Sequence, residues 1–459
     1  MSKNKSGRNR RRGENPPNTG RRQFIAWGLS SLAVGGAALA SYKSGLFTSA
    51  QIKPPAPTPA PLASAPTPAV NATTAPAVSG GFEPVTYVAS RENAVLAADE
   101  LITHYTRLFG VPSPLIHAVR GMGKGFTMAD GTKAVDFLCS RFAAEKEVNG
   151  KRYIYFPRTV EVHDDSFLKA FLEAGVSLDQ PITIKQNKYT LRDLGESGKA
   201  LFRCDPFNLA RYDQTFSHEH LPWGLIAFSI LVPPTQASWT NAYGETINLP
   251  QVIDRGLADY EASCALGRDA LARGESEPKN FHDEIKKYSC FGLHAVYGFF
   301  SCLQHGYREN QMPERMRQLF DLVVNRLQGD PGAINRDYDD AAKQGATPQD
   351  LASMKQFGLT FEQAVEVFRI ASHIKFFGHA YEAINYARLH RLFPISAEQQ
   401  RRIQAAEPMF YENIIKLRAM NLEPLRNWNR QFVCDVMVAL GHAARAMKLL
   451  TRENPDTLA

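Results

Sequence analysis

TFEQAVEVFRIASHIKFFGHAYEAINYARLHR, Thr360–Arg391, decides how this chain is read. Thr360-Phe361-Glu362-Gln363 has the form of a capping box, in which a threonine and a residue three positions on satisfy each other's exposed backbone amides. Apolar residues then recur at helical spacing to about Arg391, which predicts one long helix. Inside it lies Gly378-His379-Ala380-Tyr381-Glu382-Ala383. The same pattern, a histidine, then alanine, then a small residue three further on, occurs in Gly292–Gly298 (GLHAVYG) and Gly441–Ala446 (GHAARA). Both copies also lie in apolar-periodic stretches. Small residues on a helix face allow a second helix to approach closely, so the recurrence predicts three equivalent helices whose histidines point the same way.

Working outward, the chain from about Asp205 reads as helical almost throughout. Expected helices cover Leu221–Val232, Pro250–Arg273, Tyr288–Tyr307 and Pro313–Leu327. A second capping box, Ser396-Ala397-Glu398-Gln399, opens a helix to about Met420, and the last runs from about Asn429 to Thr451. Before this body, Arg91–Phe109 is an amphipathic helix. Asp164–Ala174 is a short helix, Arg152–Phe156 and Thr159–Val162 read as strands, and Ile182–Lys185 with Lys188–Leu191 read as a hairpin. Gly121–Gly125 is glycine-rich but lacks the strand and the Lys-Ser/Thr of a phosphate loop, so it reads as a turn. The fold expected is mainly α, with a small α+β part at 82–204 and a helical domain at 205–459. The spacing of 85 and 63 residues between copies is too irregular for a tight solenoid. It fits a looser ring of helical pairs, broadly similar to α/α-toroid proteins.

The N-terminus is built differently. Of 459 residues, 44% are hydrophobic and 22% charged, with a net charge of +7. Residues 1–22 hold eight Lys/Arg and one acid, Glu14, which is the whole excess. The rest of the chain is neutral, and a neutral body has no electrostatic footprint for nucleic acid. After this basic tail, residues 23–43 contain an uncharged run, Phe24–Tyr42, of nineteen residues, about the helix length that crosses a hydrocarbon core. Arg21, Arg22 and Phe24, the apolar run and a small-residue site at Ala38-Leu39-Ala40 resemble a twin-arginine export signal. Gly20 before the arginine pair and Ala26 in place of a closing Lys depart from that pattern. An uncleaved anchor with its basic end in the cytoplasm is the alternative. Either implies a body in the cell envelope, on the periplasmic side, with the N-terminal segment engaging the membrane. Residues 44–81 are a linker: within Pro54–Ser79, eight of 26 residues are Pro, eight are Ala and none is charged.

The chemistry-bearing candidates are few. His294, His379, Glu382, His442 and Arg445 share helix faces that can line a cavity for acid–base work on a polar ligand. Tyr386 lies on the same face as His379. His218-Glu219-His220 places two histidines on one side of an extended segment, a pattern that suits a metal. Trp223, Trp239 and Trp428 are candidates to stack on a sugar ring, and each is also an ordinary core residue. The six cysteines, Cys139, Cys204, Cys264, Cys290, Cys302 and Cys434, form no CxxC pair and read as buried thiols. The sequence does not identify a cofactor. Two functions remain: an envelope scaffold or binding module, and an α/α enzyme acting on a carbohydrate or cell-wall substrate by His/Tyr/Arg acid–base chemistry or with a bound metal. Convergence of His220, His294, His379 and His442 within about 10–12 Å of one another in one pocket discriminates them.

Overall fold

A computed structural model describes residues 82–203, 220–275, 285 and 288–451. The basic tail, the apolar run, the linker, Cys204 and His218 lie outside the described residues. The described chain is mainly helical, with three two-stranded antiparallel hairpins as its only sheets. No helix in it is long and apolar enough to cross a membrane.

The first helices are α1 (Arg91–Phe109), α2 (Pro112–Met122) and α3 (Ala134–Phe142). A hairpin, β1 (Ala144–Val148) and β2 (Lys151–Tyr155), leads to α4 (Ser166–Glu173). A second hairpin, β3 (Pro181–Ile184) and β4 (Asn187–Thr190), runs into α5 (Leu191–Leu201). Then follow α6 (Leu221–Leu231), the third hairpin β5 (Ser238–Thr240) and β6 (Thr246–Asn248), α7 (Leu249–Ser263) and α8 (Ala265–Ala272). The body closes with α9 (Leu293–Gln304), α10 (Met312–Gln344), α11 (Pro348–Gln356), α12 (Phe361–Leu389), α13 (Ala397–Arg418), α14 (Glu423–Trp428) and α15 (Arg430–Lys448).

Both expected capping boxes form, Thr360 with Gln363 and Ser396 with Gln399, and fix the starts of α12 and α13. Three local readings differ. The first hairpin is Ala144–Val148 against Lys151–Tyr155, and Thr159–Val162 is not a strand. Its turn is Asn149-Gly150, both at positive φ (52° and 75°), the pair that a tight primed turn requires. The helix expected over Pro313–Leu327 continues to Gln344 through Pro331. Arg326 bridges Asp330 one turn on (2.7 Å) immediately before that point, and the segment is buried. The helix expected over Pro250–Arg273 breaks at Cys264 into α7 and α8. The five described cysteines are free.

The apolar core is continuous from Ala94 to Leu449, so the early helices and the later body share one interior. At its centre is α15, which packs most extensively on α12 and α2 and also on α1. The small residues make this possible. A Cβ added at Gly441 of α15 would lie 2.8 Å from the Cβ and 2.8 Å from the carbonyl oxygen of His117 in α2. One at Gly121 of α2 would lie 2.7 Å from the carbonyl oxygen of Gly441, and one at Gly378 of α12 would lie 3.0 Å from the amide nitrogen of Ala443. The pairs His117–Gly441 and Gly121–Ala444, and Gly378–Ala443 and Asn385–Ala446, advance in the same sense along both chains, so α2, α12 and α15 run parallel past one another. Because the obstructing atoms belong to backbone, Gly441→Ala must displace a helix. Overpacking of this kind typically costs about 1–3 kcal/mol, more than the roughly 1 kcal/mol of helix propensity that alanine gains. Net destabilisation is expected in a urea melt, and a stabilised variant would show that the interface yields freely.

Candidate functional site

The three repeated histidines converge. His294 of α9, His379 of α12 and His442 of α15 are each about 2% exposed. One donor nitrogen from each lies within 4.8 Å of the others. Their ring centroids are 5.6 Å (294–379), 5.7 Å (294–442) and 3.7 Å (379–442) apart.

The chain holds a fourth copy of the motif that the sequence reading passed over. His117-Ala118-Val119-Arg120-Gly121 in α2 matches His294-Ala295-Val296-Tyr297-Gly298 closely. Its histidine joins the same level, with its ring centroid 4.9 Å from that of His442. The motif therefore builds two storeys. The four histidines form one, and the residues three positions on (Arg120, Tyr297, Glu382 and Arg445) form the other, one helical turn away.

The second storey is a buried ion network completed by Lys169 and Glu173 of α4. Arg445 Nε donates to Glu382 Oε1 at 2.9 Å, and Arg445 Nη2 to the Tyr297 hydroxyl at 3.0 Å. Arg120 is paired with both Glu173 and Glu382. Tyr297 donates its hydroxyl to Glu173. Lys169 Nζ lies 3.1 Å from Glu173 Oε2. Every one of these groups is buried. The arginines remain charged, because guanidinium does not deprotonate in proteins. Glu173 is held far below the ordinary carboxylate range: burial acts to raise it, but Arg120, Lys169 and Arg445 together outweigh burial.

Glu382 links the storeys. Its Oε2 is 2.8 Å from His442 Nδ1. Arg120 Nη1 is also 2.8 Å from that nitrogen, and one ring nitrogen cannot both donate to a carboxylate and accept from a guanidinium. Donation to the carboxylate is the stronger arrangement, since Arg120 already has two carboxylates of its own. That tautomer fixes the ring through Nδ1–H and leaves the lone pair on Nε2, the arrangement carboxylates give to metal-ligating histidines.

His294 and His379 are different. All four of their ring nitrogens are buried without a hydrogen-bond partner among the described residues. A buried polar group is normally paired, and leaving one unpaired costs about 1–3 kcal/mol. His294 is instead held by stacking. Trp223 of α6 lies parallel to it, 4.1 Å between centroids at 10°, and His163 covers the other face of Trp223 at 3.8 Å and 7°. Both indole faces are thus occupied, so Trp223 is not free to stack on a sugar. Trp239 donates its Nε1 to the carbonyl of Lys199, and Trp428 packs against the core; neither reaches the histidines.

No protein-family model, curated protein or solved structure matches this chain. The site must be read from its own chemistry. Burial holds His294, His379 and His442 well below the ordinary imidazole range, with Lys169, Lys375 and neighbouring histidines adding to the effect. All three are neutral at neutral pH, and neutral imidazole is the metal-binding form. A tetrahedral ion about 2.0–2.1 Å from each nitrogen sets neighbouring nitrogens roughly 3.3–3.5 Å apart, so small ring rotations from the observed spacing close the set. An all-imidazole donor set suits zinc, copper, nickel or iron rather than magnesium or calcium.

Of the residues singled out from sequence, the structure brings His294, His379, Glu382, His442 and Arg445 together. It places Glu382 and Arg445 behind the histidines, bound to each other and to Arg120, where they position rather than react. Tyr386 lies further along, its ring 4.9 Å from that of Tyr297. His220 is not in the cluster: its Nδ1 is 3.1 Å from His163 Nδ1, and Trp223 stands between that pair and His294. His117, Arg120, His163, Lys169 and Glu173 belong to the site and were not singled out.

Proposed function

We propose that this protein is a metal-dependent enzyme of the cell envelope, its centre a first-row transition-metal ion on His294, His379 and His442. The observation that carries the reading is the four buried ring nitrogens of His294 and His379 that make no hydrogen bond among the described residues (His379 Nδ1 is 3.9 Å from Glu382 Oε2), set beside a third histidine whose ring a carboxylate holds. Three neutral protein ligands leave a coordination position open, the arrangement of catalytic rather than structural sites. The ion would polarise a substrate oxygen or lower the pKa of a bound water. Glu382 orients His442, and Trp223 orients His294. The depth of the rings favours a small substrate over a wall polymer. The convergence of the repeat also argues against a scaffold, in which the histidines would be buried separately. The envelope location rests on the twin-arginine-like segment and the Pro/Ala spacer.

Purified protein stripped of metal and offered Zn2+, Co2+, Ni2+ and Cu2+ in turn is expected to retain one equivalent. Binding should raise its melting temperature as the free ion exceeds Kd. His379→Ala and His294→Ala should each abolish retention at micromolar ion. Equal retention by all three proteins would end the metal reading. Recovery of the chain in the cytosol with its N-terminus intact would end the envelope reading.

A further inference from the structure

The surroundings of the histidines carry an imbalance of charge. Two carboxylates, Glu173 and Glu382, face three cationic side chains, Arg120, Arg445 and Lys169, all of them buried. The two arginines are saturated by these acids and by Tyr297. Lys169 is not. Its ammonium has three donors, and its one hydrogen-bonding partner among the described residues is Glu173, at 3.1 Å. The Tyr297 ring lies beneath it, 5.8 Å from Nζ to centroid. Glu173 itself is already shared with Arg120 and with the Tyr297 hydroxyl.

The lysine also lies near the metal ligands: the Tyr297 ring beneath it is 6.2 Å, centroid to centroid, from the ring of His294. Burial and Arg120 lower the pKa of Lys169 itself to about 7, so near neutral pH it holds its third proton only in part, and an anion beside it favours the ammonium form. The neutral histidines do nothing to offset a divalent ion, so loading the centre adds positive charge to a buried region that is already cationic.

The geometry points to a small anion (an oxyanion, a carboxylate or a pseudohalide) as the exogenous ligand of this centre, bound at the open coordination position and held by an N–H of Lys169. This rests on the three-histidine metal reading and deepens it. An anion satisfies what no described residue does: it fills the open position, takes up the unused ammonium donors and offsets the added charge. A neutral ligand does only the first. Charge-assisted hydrogen bonds from a buried ammonium are also the stronger kind.

The test uses the full chain loaded with Co2+, whose visible absorption reports changes at the ion. Sodium azide, sodium acetate and inorganic phosphate are titrated separately, with imidazole as the neutral comparison. At least one anion should perturb the spectrum saturably at concentrations where imidazole does not. In Lys169→Met that affinity should fall by roughly thirtyfold or more, the consequence of losing one partner of a buried charge pair. Lys169→Arg should recover part of it. Co2+ stoichiometry should stay at one in both variants. Imidazole binding as well as every anion would overturn the inference even if no Lys169 variant folds, and so would an unchanged anion affinity in Lys169→Met. Failure of the wild-type chain to bind Co2+ at all is a separate result, which removes the metal reading together with this one.

Discussion

Glu382→Ala is expected to cost the protein about 3–5 kcal/mol, the usual penalty for removing one member of a buried ion pair. Against a total stability of about 5–15 kcal/mol, that leaves the variant marginal or unfolded. The side chain of Glu382 is 1% exposed and hydrogen-bonds three partners, Arg120, Arg445 and His442. Removing it leaves two guanidinium groups that cannot shed their charge to share the single carboxylate of Glu173, and an imidazole N–H that loses its acceptor. Glu382→Gln keeps the shape and part of the hydrogen bonding, so it should fold better but bind metal about 10–100-fold more weakly, since Glu382 holds the ring of His442. Urea unfolding of the two variants, with metal titration of the glutamine variant, separates these effects. A loss below about 1 kcal/mol in Glu382→Ala would mean that the network is not ionised, because exposed or neutral pairs are worth no more than that.

The same residue shows what the sequence could and could not reveal. Glu382 was legible as a neighbour of His379 on one helix face, because i and i+3 follow from helical geometry alone. That it would also hold His442, on a helix sixty residues later, is a tertiary fact. Helix starts were legible where they are chemical: Thr360 and Ser396 each cap with a partner three residues on. Helix continuation through Pro331 was not, because propensity predicts a break and burial overrides it. The Asn149-Gly150 turn was legible and was passed over for a strand pair around Pro157. The fourth motif copy was also in plain view. It lacks the glycine ahead of its histidine, and its own Gly121 adjoins the glycine-rich turn that follows. Lys169 and Glu173, an i,i+4 pair in a short helix, have the form of a solvated surface pair; only the packing of α4 against the core makes them interior. The irregular spacing of the copies has a physical cause as well. Helices that run parallel, as α9 and α12 also do with His294 beside His379 and Tyr297 beside Tyr386, need return elements between them, and α10 with α11, and α13 with α14, are returns of different length.

Those buried histidines make the metal-free protein acid-sensitive well above the pH at which carboxylates titrate. In the unfolded chain an imidazole takes a proton near pH 6.5, whereas His294, His379 and His442 resist it far below that. Below pH 6.5 the unfolded state therefore binds more protons than the folded one, and stability falls as pH falls. Each ring contributes about 1.4 kcal/mol per pH unit once fully in that range. His117, pushed down to about 3 by burial, acts in the same sense. Asp435 opposes them: burial raises its carboxyl to about 7, so the folded state takes that proton first and gains stability as pH falls from about 7 toward the unfolded value. Asp165, also raised to about 7 by burial, and Glu161, raised by burial, act with Asp435, while His163, His305 and His373, lowered by burial, act with the ligand rings. Lys169 is silent here, because its depressed pKa affects stability only between about 7 and its unfolded value, where stability rises with pH. The histidines outnumber the acids, so the metal-free protein should lose on the order of 2–5 kcal/mol between pH 7 and pH 5.5. Metal-loaded protein should keep its ion across the same interval, since folded rings with depressed pKa values give protons little purchase against it. Urea midpoints for both forms at pH 7 and pH 5.5 measure this directly. A metal-free midpoint that does not move would mean that the rings protonate in place. Water would then have to reach them, and the same route would admit a substrate too large for the closed site described here.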